Sequence, residues 1–187
     1  MPQSHTVISI AEFLHSHLKN RPLAHLPGLT RLSAIARAQT LVAACNARLT
    51  TGGWLPCYDP PTDTIVMHSP STYAIARIIT RPTLYALTLL HELIHWTGHR
   101  RRLARRSHRH PFDDIYAREE LIAELGSALL CHDLAITSRP TLPHARYLNA
   151  FLATLPNPDI DLSLALAQAT RASAYLTAIA HRHLTRG

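Results

Sequence analysis

The run His91-Glu92-Leu93-Ile94-His95 constrains this chain more than any other feature, because it lies inside an apolar stretch from Tyr85 to Trp96 that also holds Leu87, Leu89 and Leu90. That pattern suits a buried helix. On a helix, residues four apart lie nearly above one another, so both imidazoles open from one face into one space. Two neutral imidazoles at that separation can take two corners of a tetrahedral Zn²⁺ site. Glu92 between them sits at the rim, where it can take a proton from a metal-bound water. The chain has 14 His, so the spacing alone is a weak signal. The flanking leucines, and a carboxylate-bearing helix further on, give it weight, since solvated histidines on a surface helix need no such surroundings. The expectation is a zinc site.

The rest of the chain is read around that helix. Ser9-Ile10-Ala11-Glu12 is a capping box opening a helix to about Leu18, with Ile10, Phe13, Leu14 and Leu18 on one side. Pro22, Pro27 and Gly28 interrupt the chain. A second helix is expected from about Leu32 to Leu49, with Leu32, Ile35, Leu41, Val42 and Cys45 inward, stopping at Gly52-Gly53. Trp54 to Tyr58 reads as extended, Asp59 to Asp63 as a turn, and Thr64 to His68 as the best strand. Pro70 to Ile79 reads as a loop with a helical turn. Pro82 belongs in the first turn of the motif helix, expected over Thr83–Thr97 with Gly98 as its stop. Asp113 or Asp114 caps a helix to about Cys131, and helices near 143–154 and 160–180 follow. The expected fold is α+β, mostly helical with a small β-sheet, in a single domain over residues 1–187.

Composition narrows the setting. A chain of 187 residues can bury a real core. Its apolar runs fall short of the ~20 residues a membrane span requires. The N-terminus lacks a basic start followed by an apolar core, so no secretory signal is expected. Cys45, Cys57 and Cys131 are odd in number, widely spaced and form no C-x-x-C pair, which suits free thiols in a reducing compartment. The expected location is cytoplasmic. Exported effectors of signal-independent machines would look the same.

A catalytic zinc site takes three protein ligands and keeps one position open. A third histidine in the H-E-x-x-H-x-x-G-x-x-H arrangement is ruled out, because that position is Arg101 and the histidine after Gly98 is His99. A carboxylate on the next helix is the alternative. In Glu120-Leu121-Ile122-Ala123-Glu124 two carboxylates share a face, so Glu120 can bind the metal while Glu124 accepts the free N–H of a ligand imidazole. The reverse assignment stays open. Glu119 is turned about 100° away and reads as solvated, and Asp113 and Asp114 are explained as helix caps.

Three segments carry a resemblance. Leu89 through His99, then Phe112 to Glu124 with its Ala-Arg-Glu-Glu-Leu-Ile-Ala-Glu string, then His144-Ala145-Arg146-Tyr147-Leu148, resemble the C-terminal zincin-like metallopeptidase domain of ArdC-type antirestriction proteins, over roughly residues 35–185. The resemblance implies His91 and His95 as ligands, Glu92 as general base, and the acidic helix as source of the third ligand. Those proteins, carried by plasmids, phages and integrative elements, usually begin with a domain that binds single-stranded DNA. Only about 35 to 40 residues precede the matched region here, so that activity is not carried over. The phenylalanine that the family tends to follow with glycine is followed here by Asp113.

H-E-x-x-H on a helix is the signature of zinc peptidases. The expected activity is therefore hydrolysis of a protein or peptide substrate by a Glu92-activated, zinc-bound water, in a protein of mobile-element, antirestriction type. Tyr116 and His144 are candidates for donating to the oxyanion, with Tyr147 a third. Two other readings compete. One is a non-catalytic antirestriction or DNA-binding module on the same scaffold, the other a zincin toxin. Net charge is +7, and Lys19 is the only lysine among 19 basic residues. Arg100, Arg101, Arg102, Arg105, Arg106 and Arg109 cluster after the motif helix, a run able to contact DNA phosphates. It has no interleaved aromatics for base stacking, and its bland reading is a solvated loop.

Overall fold

The computed structural model describes residues 4–19, 21, 26, 28–69, 81–105, 113–137 and 142–185, with the backbone alone for 4–11, 81 and 142–144. Six α-helices and three strands are described, with a short 3-10 turn at Leu29–Arg31: α1 Ser4–Lys19, α2 Ala34–Ala44, β1 Arg48–Thr51, β2 Cys57–Asp59, β3 Thr64–Met67, α3 Arg81–Thr97, α4 Asp114–Asp133, α5 Leu142–Leu152 and α6 Pro158–Leu184. The architecture is the expected mostly helical α+β one. The sheet order is β1-β3-β2, with β1 parallel and β2 antiparallel to β3, so β2 is an edge among the described residues.

Two element boundaries differ from expectation for identifiable reasons. Helix α1 begins at Ser4 and continues through the Ser9 capping box. Helix α2 ends at Ala44, because Asn46 adopts a left-handed conformation (φ 52) that a helix cannot continue through. The residues beyond it, read as helix from sequence, become β1, pairing Arg48–Thr51 with Thr64–Met67. The segment Pro70 to Ile79 lies outside the described residues.

Helix α4 is the hub. It packs on α3, α5 and α6, and Leu121 through Cys131 are buried without a break. A helix buried on all sides has no polar face to give to solvent. Its close approach to α3 depends on Gly126, where an added Cβ would lie 2.7 Å from Ile94 Cδ1. Asp113 starts α4 by accepting the backbone N–H of Tyr116 at 2.7 Å. The N-terminal region is pinned to this hub by Arg21, whose guanidinium bonds both carboxylate oxygens of buried Asp133 at 2.7 Å and Ser173 Oγ at 2.7 Å. No helix among the described residues is long and apolar enough to cross a membrane.

Candidate metal centre

Helices α3 and α4 bring His91, His95 and Glu120 together. The two Nε2 atoms are 3.1 Å apart, His91 Nε2 lies 3.4 Å from Glu120 Oε2, and His95 Nε2 lies 3.6 Å from Glu120 Oε1. A tetrahedron with metal–ligand arms of about 2.1 Å has edges of about 3.4 Å. The two imidazoles and the carboxylate thus stand at about the separations a common cation would impose, each Nε2 nearest a different oxygen of Glu120. Among the described residues they form the one His/Cys/Asp/Glu group able to hold a metal. His99 stands outside it and accepts the backbone N–H of Arg101.

Each imidazole is held from behind by a carboxylate of α4. His91 Nδ1 is 3.3 Å from Glu124 Oε1, and His95 Nδ1 is 3.2 Å from Glu119 Oε1. A proton on each Nδ1 leaves each Nε2 lone pair for a metal. Burial opposes charge on His91, but Glu120 and Glu124 outweigh it and hold its pKa well above the usual value. Metal binding therefore displaces protons from this cluster. Burial also raises Glu119 and Glu120, yet hydrogen bonds from the histidines, joined by Arg105 at Glu119 and Tyr116 at Glu120, bring both carboxyls below their ordinary range.

Glu119 corrects the sequence reading. It is 5% exposed rather than solvated, and Arg105, 6% exposed at its side chain, bonds both its oxygens at 3.0 and 2.7 Å. Arg105 also reaches Thr97 Oγ1 at 2.7 Å and Ile94 O at 2.8 Å. Gly98 makes room for it. This glycine is not left-handed, and a Cβ there would sit 3.1 Å from the Arg105 guanidinium. Arg102 is spent likewise. It caps Trp96 O at 2.6 Å, stacks 3.7 Å over the Trp96 ring and pairs with Asp63. Together with Gly98 N–H on His95 O and Leu103 N–H on Thr97 O, the four terminal carbonyls of α3 are all satisfied. Cationic arginines there also suit the helix dipole. Two of the six arginines expected to contact DNA are thus structural. Arg100 and Arg101 are exposed, and Arg106 and Arg109 lie outside the described residues.

Glu92 is buried at the floor of a cleft of about 520 Å³ that it shares with His91, His95, Glu120, Tyr116 and strand β2. Its Oε2 accepts the backbone N–H of Tyr58 at 2.7 Å. Tyr58 is held in turn by its hydroxyl on Asp63 and by Arg102, so the loop after α3 fixes the strand that touches Glu92. The Arg102 guanidinium beside Asp63 lowers its carboxyl to about 2. A depressed carboxyl stabilises the fold above its unfolded pKa and ceases to as pH falls through the folded value. The melting-temperature gap between wild type and Asp63→Asn should be constant above pH ~4 and shrink towards pH ~2. A gap independent of pH across that window would leave Arg102–Asp63 without a role in stability.

Tyr116 hydrogen-bonds Glu120 through its hydroxyl. Burial, then the Glu120 charge, pushes its pKa up to about 12, so it stays a neutral donor. Tyr147 borders the same region and is 56% exposed. His144 is on α5, and its side chain lies outside the described residues.

A zincin-like metallopeptidase family model (MPTase-PolyVal) matches residues 36–168. The chain belongs to that family. The Mn(II)-bound structure of the antirestriction ArdC protein from the R388 plasmid has a TM-score of 0.61 and 30% identity to it, covering 80% of this chain and 54% of that one. The metal-free ArdC structure also has a TM-score of 0.61. The expected resemblance to the ArdC-type domain therefore holds, and the centre is one for a divalent cation. Two Escherichia coli proteins named DNA primase TraC are 33% and 32% identical over 154 residues, 81% of this chain, which spans only 14% and 10% of their lengths.

Proposed function

We propose that the chain is a zinc-dependent peptidase of mobile-element, antirestriction type, with His91, His95 and Glu120 as ligands and Glu124 as support for His91. The observation that carries this is the cluster beside the Glu92 carboxylate: two Nε2 atoms 3.1 Å apart, one 3.4 Å from Glu120 Oε2 and the other 3.6 Å from Glu120 Oε1. Two imidazoles and one carboxylate suit zinc, which such ligands bind more tightly than Mn²⁺. Bound there, the cation lowers the pKa of a water and polarises the scissile carbonyl. Glu92 takes the proton from the attacking water and hands it to the leaving amine. Its hydrogen bond from Tyr58 N–H fixes its orientation, and a carboxylate keeps further acceptor sites beyond this one. Tyr116, neutral and half-buried, turns its single O–H from Glu120 to the developing oxyanion, with His144 held as a second candidate donor.

Glu92→Gln tests this reading. Purified protein should carry about one zinc per chain in both forms, while new peptide N-termini in a denatured lysate, counted by mass spectrometry, should fall ~10²–10⁴-fold in the variant. Cleavage at wild-type rate by Glu92→Gln, or the same peptides from zinc-stripped protein, would count against it and favour a binding module on the same scaffold.

A further inference from the structure

The cleft has a second lobe, a cavity of about 330 Å³ between α3 and α5 that opens beside His91, Glu92 and Tyr116. We propose that this lobe receives a bulky apolar side chain, aromatic or leucine-like, of the residue next to the bond being cleaved. The inference rests on the metallopeptidase reading and adds a substrate class to it.

The lobe follows from helix geometry. Leu84, Leu87 and Thr88 precede His91 by seven, four and three residues, so they line the same face of α3 as the ligand, one and two turns towards its N-terminus. Tyr147 and Phe151, four apart, face it from α5, and Phe151 packs edge-on against Tyr116 with ring centroids 6.1 Å apart. The volume is at the small end of ligand cavities, suited to a side chain.

Its chemistry excludes charge. The carboxylates on its floor are already engaged: Glu120 and Glu124 with His91, and Glu92 with Tyr58 N–H. A carboxylate there would meet three like charges, and a lysine or arginine would give up its hydration for carboxylates already shared with His91 and Tyr58 N–H. The rim is apolar and uncovered. Tyr147 is 56% exposed, and Trp54 and Leu55, next to the lining residue Pro56, are 96% and 74% exposed. Exposed apolar side chains beside such a cavity suit an apolar ligand.

The test uses binding, so it does not depend on turnover. Zinc-loaded protein is titrated with acetohydroxamic acid, then with peptidyl hydroxamates that differ only in the side chain beside the metal-binding group: hydrogen, isobutyl, benzyl, aminobutyl or carboxymethyl. Isobutyl and benzyl should bind ~10–100-fold tighter than hydrogen, the gain expected from burying one such side chain, and the charged pair no tighter than hydrogen. Phe151→Ala and Tyr147→Ala should each reduce the benzyl-to-hydrogen ratio, which is taken within each protein so that loss of metal or fold does not mimic the effect. Equal affinity across the series, a preference for a charged side chain, or a ratio untouched by both substitutions overturns the pocket while leaving the peptidase reading standing. Failure to bind even acetohydroxamic acid removes the metallopeptidase reading, and the pocket with it.

Discussion

Replacing Glu119 with alanine should weaken metal binding by about 10- to 100-fold and cost the metal-free protein about 3–5 kcal/mol. Two separate things are lost. His95 loses the acceptor on its Nδ1, which stands 3.2 Å from Glu119 and holds the ring so that Nε2 faces His91 and Glu120. Arg105, whose side chain is 6% exposed, loses the carboxylate that neutralises it and is left as a buried, unpaired cation. The second loss dominates stability and the first dominates metal affinity. Exchanging both charged partners separates them: in Arg105→Met, Glu119→Leu the buried charge is gone, so most of the metal-free stability should return. Metal affinity should not return, because His95 still lacks its acceptor. Urea unfolding of the metal-free proteins and competition with a chelator read the two quantities independently. A double variant that regains wild-type affinity would reduce Glu119 to a counter-ion for Arg105.

This network also marks where sequence reasoning stopped. The spacing of His91 and His95, and of Glu120 and Glu124, is local information, since a helix puts residues four apart on one face. Which of three neighbouring carboxylates meets which imidazole is decided by how α4 is rotated against α3. A helical wheel treats Glu119 as the outer side only if the helix has one. The apolar run Leu121, Ile122, Ala123, Leu125, Ala128, Leu129 and Leu130 was the available sign that α4 is buried all round. Arg102 and Arg105 were less accessible still. Six arginines after a helix look like a surface patch until the geometry shows two of them folded back onto the carbonyls that end α3. Strand β1 was hidden for a similar reason: its partner β3 lies beyond a turn and the edge strand, so nothing local distinguishes Arg48–Thr51 from the end of α2. The sequence reading was soundest where spacing alone decides the outcome, and weakest where a distant partner decides it.

The packing of α3 against α4 yields the second large effect, and its sign is the informative part. Glycine to alanine inside an exposed helix gains about 1 kcal/mol from propensity alone. At Gly126 the new Cβ would lie 2.7, 2.8 and 3.1 Å from Cδ1, Cγ1 and Cγ2 of Ile94, which is fully buried and has no solvent to turn into. Overpacking of this kind costs about 1–3 kcal/mol, so Gly126→Ala should destabilise despite its better propensity. The protein can relieve the clash by moving the helices apart. Ile94 lies between Glu92 and His95, and Gly126 lies two residues beyond Glu124, so any such movement draws Glu120 away from His91 and His95. Metal affinity should therefore fall together with stability. Ile94→Ala removes all three clashing atoms and alone costs about 2–5 kcal/mol as a cavity. Combined with Gly126→Ala, part of that space is refilled, and the double variant should be more stable than the sum of the singles by about 0.5–3 kcal/mol. Urea unfolding of the four metal-free proteins completes the cycle. Additivity within about 0.5 kcal/mol would mean that the gap between the ligand helices is set elsewhere than at Gly126.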